Sequence, residues 1–588
     1  MGVTNVSTWA TSAILGAAFH AGTQWLEPDL IVPQTAACFA VLALAGVYVD
    51  VQVFDKPLVD TATTLAIVTF GFLLSLTVST LVYRVFFHRL RKFPGPFAAK
   101  LSKFYSLYLS RNLQYHFEAE KLHKKYGDVV RTGPRELSIA RISPLNQIIT
   151  CQKTNFYTMT ESRKEAQGLS FKDDIEDHRR ARRAWDISLT PAQISKYNAA
   201  MQSTITLFLD RLAEPERVGK PVNITDWISW LGYDIMGVVG FGRDFGCLRN
   251  AKGHPAIKTL QDFGFMLGLL KHVPWLGNIL TRIPGGGGAM APYARYCKSL
   301  VREKIAVSSA WSPSSSVESG EEPVLMRCKN VQQALSSKTT KPDAPTDVVS
   351  WLIKAFEEKK PYAASSIEAL DDDARALVIG GADTASATLT NALYNLSAHP
   401  SIQHTLHAAL AAAIPRDSDP STWTPDLLDR VPLLDAVVTE TLRLQPPVPS
   451  GQPRLTPPQG LHIRDPLYGD ISIPGDTVVV MPQWVIQRDE RYFERATEFV
   501  PGRWVAGGAQ AHMVRERAAW FPFQVGMYYC VGKQLAMWEM KSVVARTVLR
   551  FHVAFAEGED GEGFVGGIRD TWTLTLPELR LRFTEREG

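Results

Sequence analysis

The chain has 588 residues, a formal net charge of +4 and six cysteines. Hydrophobic residues make up 45% and charged residues 21%, which describes a folded protein with a large interior and argues against global disorder. Basic residues are offset by acids rather than massed in a stripe, so no nucleic-acid partner is expected, and Cys38, Cys151, Cys247, Cys297, Cys328 and Cys530 are too scattered for a close-paired zinc or dithiol site.

The first predicted elements are apolar. Residues 61–83, TATTLAIVTFGFLLSLTVSTLVY, carry no charge and have the length of about 20 residues that a helix needs to cross hydrocarbon. Two weaker stretches precede them, 8–26, interrupted by His20, and 32–49, closed by Asp50. The reading is three transmembrane helices, with two or one as alternatives; the start lacks the basic region of a cleaved signal peptide. The last span runs into RVFFHRLRK, where Arg84, His88, Arg89, Arg91 and Lys92 cluster on one flank, and positive flanks stay on the cytoplasmic side. Phe93-Pro94-Gly95-Pro96 then forms a stiff connector. Residues 1–92 are read as a membrane anchor and 93–588 as a cytosolic body.

In the body, helical periodicity dominates (197–212, 348–358, 371–397, 534–551), and alternating stretches (128–139, 477–481) read as strands, giving a mainly α fold with small β-sheets. In EDHRRARRAWDISLTP, His178 and Arg182 stand at i and i+4 on one helical face, as they would on any solvated basic helix. The glycine run at 285–288 lacks the Lys and Ser/Thr of a phosphate loop and reads as a connector. Residues 308–347, rich in Ser, Lys and Pro, read as a surface insertion.

Further along, LVIGGADTASATL lies within a long helical pattern. Gly380 and Gly381 each weaken a helix by about 1 kcal/mol relative to Ala. Asp383 beside Thr384 puts a carboxylate in the apolar middle of the helix, where an unpaired one is costly. A flat ligand beside a locally opened helix would account for the glycines. Glu440 and Arg443, in VVTETLRLQPPVPSG, share a face and can pair, although E-x-x-R alone usually marks a solvated helix surface.

The decisive stretch is FPFQVGMYYCVGKQLAMWEM at 521–540. Cys530 follows a glycine-bearing loop and opens a periodic helix, so its sulfur would meet the positively polarised N-terminus, which favours the thiolate. Gly526 permits the turn, and Gly532 leaves room for a flat macrocycle.

Phe523, Gly526, Cys530, Gly532, Leu535 and Ala536 match the F-x-x-G-x-x-x-C-x-G-x-x-L-A signature, and from about residue 93 onward the chain resembles the cytochrome P-450 superfamily. YGDVVRTGPRELSI and YDIMGVVGFGRDF are similar to segments of membrane-bound fungal members acting in secondary metabolism. The resemblance implies a P-450 fold preceded by transmembrane helices, with Cys530 as axial ligand of the iron of haem b, iron protoporphyrin IX, and Phe523, Gly526 and Gly532 shaping the loop. It implies propionate contacts for His178, Arg182 and Arg454. It implies a proton-relay role in oxygen activation for Asp383 and Thr384, in the A/G-G-x-D/E-T motif. Glu440, Arg443 and Arg503 of FVPGRW would form a buried network of architectural role. Two departures stand out: Tyr528 occupies the place, two residues before the cysteine, where the family usually has Arg or His for a propionate, and Leu189 breaks the W-x-x-x-R pattern after Trp185.

The implied activity is hydroxylation or epoxidation, with dioxygen, of a lipophilic small molecule that is a secondary-metabolite intermediate. Electrons would come from a separate NADPH-dependent reductase at the endoplasmic reticulum membrane. Lys533, Lys541 and Arg546 could dock that partner, and a solvated face explains them equally well. The pocket would draw on 157–171, 263–274, 378–382 and 448–451. Rival readings are a haem-thiolate isomerase or dehydratase that needs no reductant, against which the Asp383-Thr384 pair argues, and a non-catalytic membrane haem carrier.

Overall fold

The structure, a computed structural model, describes residues 3–23, 32–158, 163–282, 290–310, 345–415 and 418–586. The glycine run at 285–288 and most of the 308–347 insertion lie outside the described residues.

The N-terminal region forms the helices Val3–Thr23, Val32–Tyr48 and Leu58–Val82. Among the described residues, Gln34–Val53 and Leu58–Phe87 are long and apolar enough to cross a membrane, with mean hydropathies of 1.9 and 2.2. Their apolar side chains point outward, with Leu44, Val59 and Phe70 exposed, which is the reverse of a core helix in a water-soluble protein. Val3–Thr23 does not reach that hydropathy, so of the three expected spans two meet the criterion. It packs along Leu58–Val82 through small residues: a Cβ on Gly16 would come within 2.4 Å of the Phe72 carbonyl oxygen, and the Ser75 hydroxyl donates to the Ala13 carbonyl. Such close approach is how apolar helices associate where the hydrophobic effect offers no drive. The rings of Phe19, Phe39 and Phe72 join all three helices at 5.5–5.7 Å.

The basic flank does more than face water. Arg84 donates to the Leu101 carbonyl (2.6 Å), Arg89 to the Asp476 carbonyl (2.9 Å), and Arg131 of the body to the Arg84 carbonyl (3.2 Å). Burial, and then the surrounding arginines, lower the pKa of His88 to about 3, so it is neutral there. Gly95 holds φ at +155°, where a Cβ would collide with the Arg131 carbonyl oxygen at 2.4 Å. Leu90, fully buried, packs with Leu137, Ile139 and Phe493 beneath the main sheet. The anchor therefore ends seated on the body.

That sheet has five strands in the order Val129–Gly133, Glu136–Ile139, Val478–Val480, Arg454–Leu455 and Gln152–Lys153. Only Glu136–Ile139 with Val478–Val480 is parallel. Its edge pairs Lys153 directly with Arg454. The rest of the body is mainly helical. The central helix, Ile367–Ala398, is capped by Ser366, which accepts from the Ala369 N–H, and stops ahead of Pro400, which disfavours helix at the residue before it. Ile224–Phe241 and Lys533–Arg550 pack against it around Ile228, Leu231, Leu389, Leu393, Val543 and Val544, all buried. Burial of each such side chain stabilises by about 1.5–3 kcal/mol.

Candidate active site

The cysteine loop is built by its glycine. Gly526 takes φ +66°, the Tyr529 N–H reaches back to its carbonyl, and the Cys530 N–H donates to the Phe523 carbonyl at 2.8 Å. Lys533–Arg550 starts three residues after the cysteine, with Gly532 at its N-cap. The Cys530 side chain keeps accessible surface although protein atoms surround it, so its sulfur faces an internal space. Burial pushes its thiol pKa up; the Gly532 N–H, Arg182, and the N–H and ammonium of Lys533 pull it down. A Cβ on Gly532 would sit 3.8 Å from Cys530 Sγ and meet nothing closer, so the glycine keeps open the space beside the sulfur rather than relieving a clash within the protein.

The central helix runs unbroken through its two glycines, which serve different ends. A Cβ on Gly380 would meet nothing within 4 Å: this face of the helix borders open space. A Cβ on Gly381 would strike the Met236 sulfur at 2.0 Å, so Gly381 permits the close packing of Ile224–Phe241. The expected local opening is replaced by a side-chain bond, with the Thr384 hydroxyl donating to the Gly380 carbonyl at 2.7 Å. The Asp383 carboxylate turns to the buried Tyr233, whose hydroxyl donates to Oδ1 at 2.5 Å. Burial raises the Asp383 pKa to about 6, and the Tyr233 bond opposes the rise.

Around Tyr528 the structure gathers cations. The Lys153 ammonium and the Arg454 guanidinium each lie 4.9 Å from its ring centroid, and the His178 ring is 4.6 Å away. Arg182 stacks on Tyr529 at 3.8 Å and donates to its carbonyl. Arg454 also donates to the Tyr157 hydroxyl at 2.7 Å. Among the described residues, neither Lys153 nor Arg454 pairs with a carboxylate, and Arg182 meets only the half-exposed Asp186. His178 Nδ1, Arg182 Nη2, Arg454 Nε and the Tyr528 hydroxyl are buried without a hydrogen-bond partner. Burial and the neighbouring cations lower the His178 pKa to about 3, and burial followed by Arg454 drives that of Lys153 well down. A cation–π contact returns about 0.5–2 kcal/mol. Each unsatisfied buried group costs about 1–3 kcal/mol, and more when charged. The cluster is out of balance by itself and fits the carboxylates of a haem.

Glu440 stands in the opposite condition. Its two oxygens accept from Arg443 Nε and Nη2 (2.8 and 2.9 Å), Arg503 Nε (3.1 Å), the Val500 N–H (2.9 Å) and Trp504 Nε1 (2.8 Å). Both arginines spend their remaining donors on carbonyls, including those of Gln487, Ala496 and Arg495. All three charged side chains are fully buried. From this knot Gln487 accepts from the Phe521 N–H, Gln483 donates to the Phe521 carbonyl, and Trp520 donates to the Thr439 carbonyl, fastening the segment that leads to Cys530.

The family model for cytochrome P450 matches residues 94–567. The chain belongs to the cytochrome P450 superfamily. The P450 monooxygenase FCK2 of Fusarium pseudograminearum is 32% identical over 570 residues, covering 95% of this chain and 94% of that protein. The P450 monooxygenase orf5 of Eupenicillium brefeldianum is 33% identical over 522 residues, covering 87% and 95%. The tryprostatin B 6-hydroxylase of Aspergillus fumigatus is 29% identical over 521 residues, covering 88% and 84%. This P450 is a haem-binding oxidoreductase, a haem-thiolate monooxygenase of the fungal secondary-metabolism type acting on lipophilic substrates, with apolar N-terminal helices that anchor it to a membrane.

Several residues of the P450 body were not singled out by sequence motifs. Trp572, at φ +100°, packs on Phe156, Tyr157 and Phe171, and Leu267 packs on the same Phe156–Tyr157 pair, joining segments 157–171 and 263–274 in one apolar wall. Residues 159–162 lie outside the described residues. Behind the wall, buried Lys271 pairs with Asp570, which also accepts from the Ser450 hydroxyl and so ties in segment 448–451. A helix-to-hairpin contact of this kind has no sequence signal. Two expected docking cations need correction: Lys541 is buried against Asp429 and Asp435, and Arg546 donates to Gln202 and Thr206. Their helix is covered nearly all round, and of the three only Lys533 is exposed.

Proposed function

We propose that Cys530 would ligate the iron of haem b, that His178, Arg182 and Arg454 would hold its propionates, and that Asp383 and Thr384 manage protons for the hydroxylation or epoxidation of a lipophilic secondary-metabolite intermediate. The observation that carries this reading is the enclosed sulfur at a helix N-terminus, close enough to Arg182 to feel its charge, beside a cluster of buried cations with unused donors. The haem, when bound, supplies the activation of dioxygen and its insertion into a C–H bond or alkene, one oxygen atom entering the substrate and the other leaving as water with two electrons and two protons.

The chain's own residues set the rest. Gly532 and Lys533 direct N–H groups at the sulfur and favour its anion. Tyr233 fixes the Asp383 carboxyl, whose pKa near 6 lets it exchange a proton near neutrality. Thr384 is anchored to the Gly380 carbonyl and keeps lone pairs free to accept from water. The wall of Phe156, Tyr157, Phe171 and Trp572 suits an apolar substrate and excludes water from it. A relative named as a hydroxylase supports hydroxylation as the first reaction to test. With the anchor in the endoplasmic reticulum and the body cytosolic, as the one-sided basic flank favours, a separate NADPH-dependent reductase delivers the electrons.

The test is the full-length protein in microsomes. Reduced and exposed to carbon monoxide, the wild type should show the red-shifted Soret band of thiolate ligation, and Cys530→Ser should lose it. A band retained in Cys530→Ser would overturn the ligand assignment, and product formed without reductase and NADPH would overturn the monooxygenase reading.

A further inference from the structure

The residue two places before Cys530 is Tyr528, which carries no charge, yet the structure does not leave that place without a cation. Lys153, only 5% exposed, stands opposite Arg454 in the short antiparallel pair at the edge of the main sheet. Its ammonium is held over the Tyr528 ring at 4.9 Å and over the Tyr157 ring at 5.3 Å. Among the described residues it donates one hydrogen bond, to the Ser170 carbonyl at 2.9 Å, although an ammonium has three donors to place. The Tyr528 hydroxyl is buried without a partner, and Arg454 lies over the same ring at 4.9 Å with its Nε also unpaired. A lysine and an arginine thus face each other across a strand pair, both buried, converging on one phenol, with no carboxylate paired to either among the described residues. Like charges directly opposite one another are destabilising unless an anion joins them.

We propose that Lys153 takes the place of the missing basic residue at 528: with Arg454 it holds one haem carboxylate, while Tyr528 serves as the platform that positions both cations and donates its hydroxyl to the same carboxylate. The inference rests on the haem-thiolate reading above and adds to it a residue from a different element. Cations are recruited from the sheet edge rather than from the cysteine loop. Charge is kept while its position in the sequence changes, so the substitution pattern is reciprocal: a basic residue at 528 should make Lys153 dispensable.

The experiment measures haem retention. Full-length wild type, Lys153→Met, Tyr528→Arg and the double variant Lys153→Met/Tyr528→Arg are purified in detergent, and haem stoichiometry and the rate of haem transfer to excess apomyoglobin are followed optically. Lys153→Met is expected to lose haem about tenfold faster than wild type, a change of about 1.4 kcal/mol. The double variant is expected to recover most of that loss. A Lys153→Met rate within twofold of wild type would overturn the proposal. So would a double variant as leaky as, or as poorly folded as, Lys153→Met, since a purely structural lysine cannot be replaced by an arginine on another element. A wild type that carries no haem would instead overturn the haem-thiolate reading itself.

Discussion

Two buried polar clusters flank the cysteine loop, and they are opposites. Around Glu440 the charges of two arginines converge on one carboxylate whose lone pairs also accept from Val500 and Trp504, and the leftover guanidinium donors end on carbonyls. Around Tyr528, by contrast, Lys153, His178, Arg182 and Arg454 bring cations and donors together with hardly any acid among them. A closed network holds structure, because nothing is left to bind. An open one of a single sign is costly without a ligand and pays that cost back on binding. Hydrogen bonding alone thus separates the saturated scaffold of the site from the surface proposed to hold its cofactor.

The comparison predicts mutations of opposite sign. Glu440→Gln should be the most damaging change, because it strands two guanidiniums in the interior at a cost of about 3–5 kcal/mol. Thermal unfolding of the detergent-solubilised protein should show a large fall in midpoint or no folded protein at all. Arg454→Met removes one of several mutually repelling cations. The apoprotein should unfold no earlier than wild type, while haem should leave about tenfold faster, a loss of about 1.4 kcal/mol in retention. If Arg454→Met destabilised the apoprotein as Glu440→Gln does, the two clusters would be of one kind and the distinction would fail.

Part of this was legible in the sequence. The period of 3.6 marked the long helices because each buries a stripe, 477–481 holds the strand Val478–Val480, and the single alternating stretch 128–139 is a hairpin of two strands, Val129–Gly133 and Glu136–Ile139, buried on both faces. Glu440, Arg443 and Arg503 stand in recognisable local motifs, and the structure brings them together. Lys153 had no such signal, since a two-residue strand has no period and its partner Arg454 is 301 positions away. Tyr233 was hidden in a helix apolar enough to pass for plain core. Lys541 and Arg546 misled for the complementary reason: charged residues on a helix read as a solvated face, whereas this helix is enclosed and their charges are spent on Asp429 and Gln202. The helix pair Val3–Thr23 and Leu58–Val82 packs through Gly16 and Ser75, contacts that hydropathy does not weigh.

Asp383 stands between the two extremes, a half-buried acid with a single neutral donor, and it gives the smallest and sharpest test. Its pKa is raised from 3.8 to about 6, so the sign of the linkage is fixed. Below pH 4 the carboxyl is neutral in both folded and unfolded chains and costs nothing; between pH 4 and 6 the unfolded chain ionises first and stability falls as pH rises; above 6 the loss is complete. Asp383→Asn should abolish that fall and leave the rest of the pH profile intact. Tyr233→Phe should act the other way on the same group. The tyrosine hydroxyl stabilises the carboxylate, and its removal should raise the Asp383 pKa by about one unit, on the order of the 1.4 kcal/mol that one charge-assisted hydrogen bond contributes. The pH at which product formed per NADPH consumed changes most steeply should then move upward by about that much, with the thiolate Soret band unaltered. An unshifted profile in Tyr233→Phe would mean that Asp383 does not set the proton supply, and would move it from the reacting machinery to the closed, structural class that Glu440 represents.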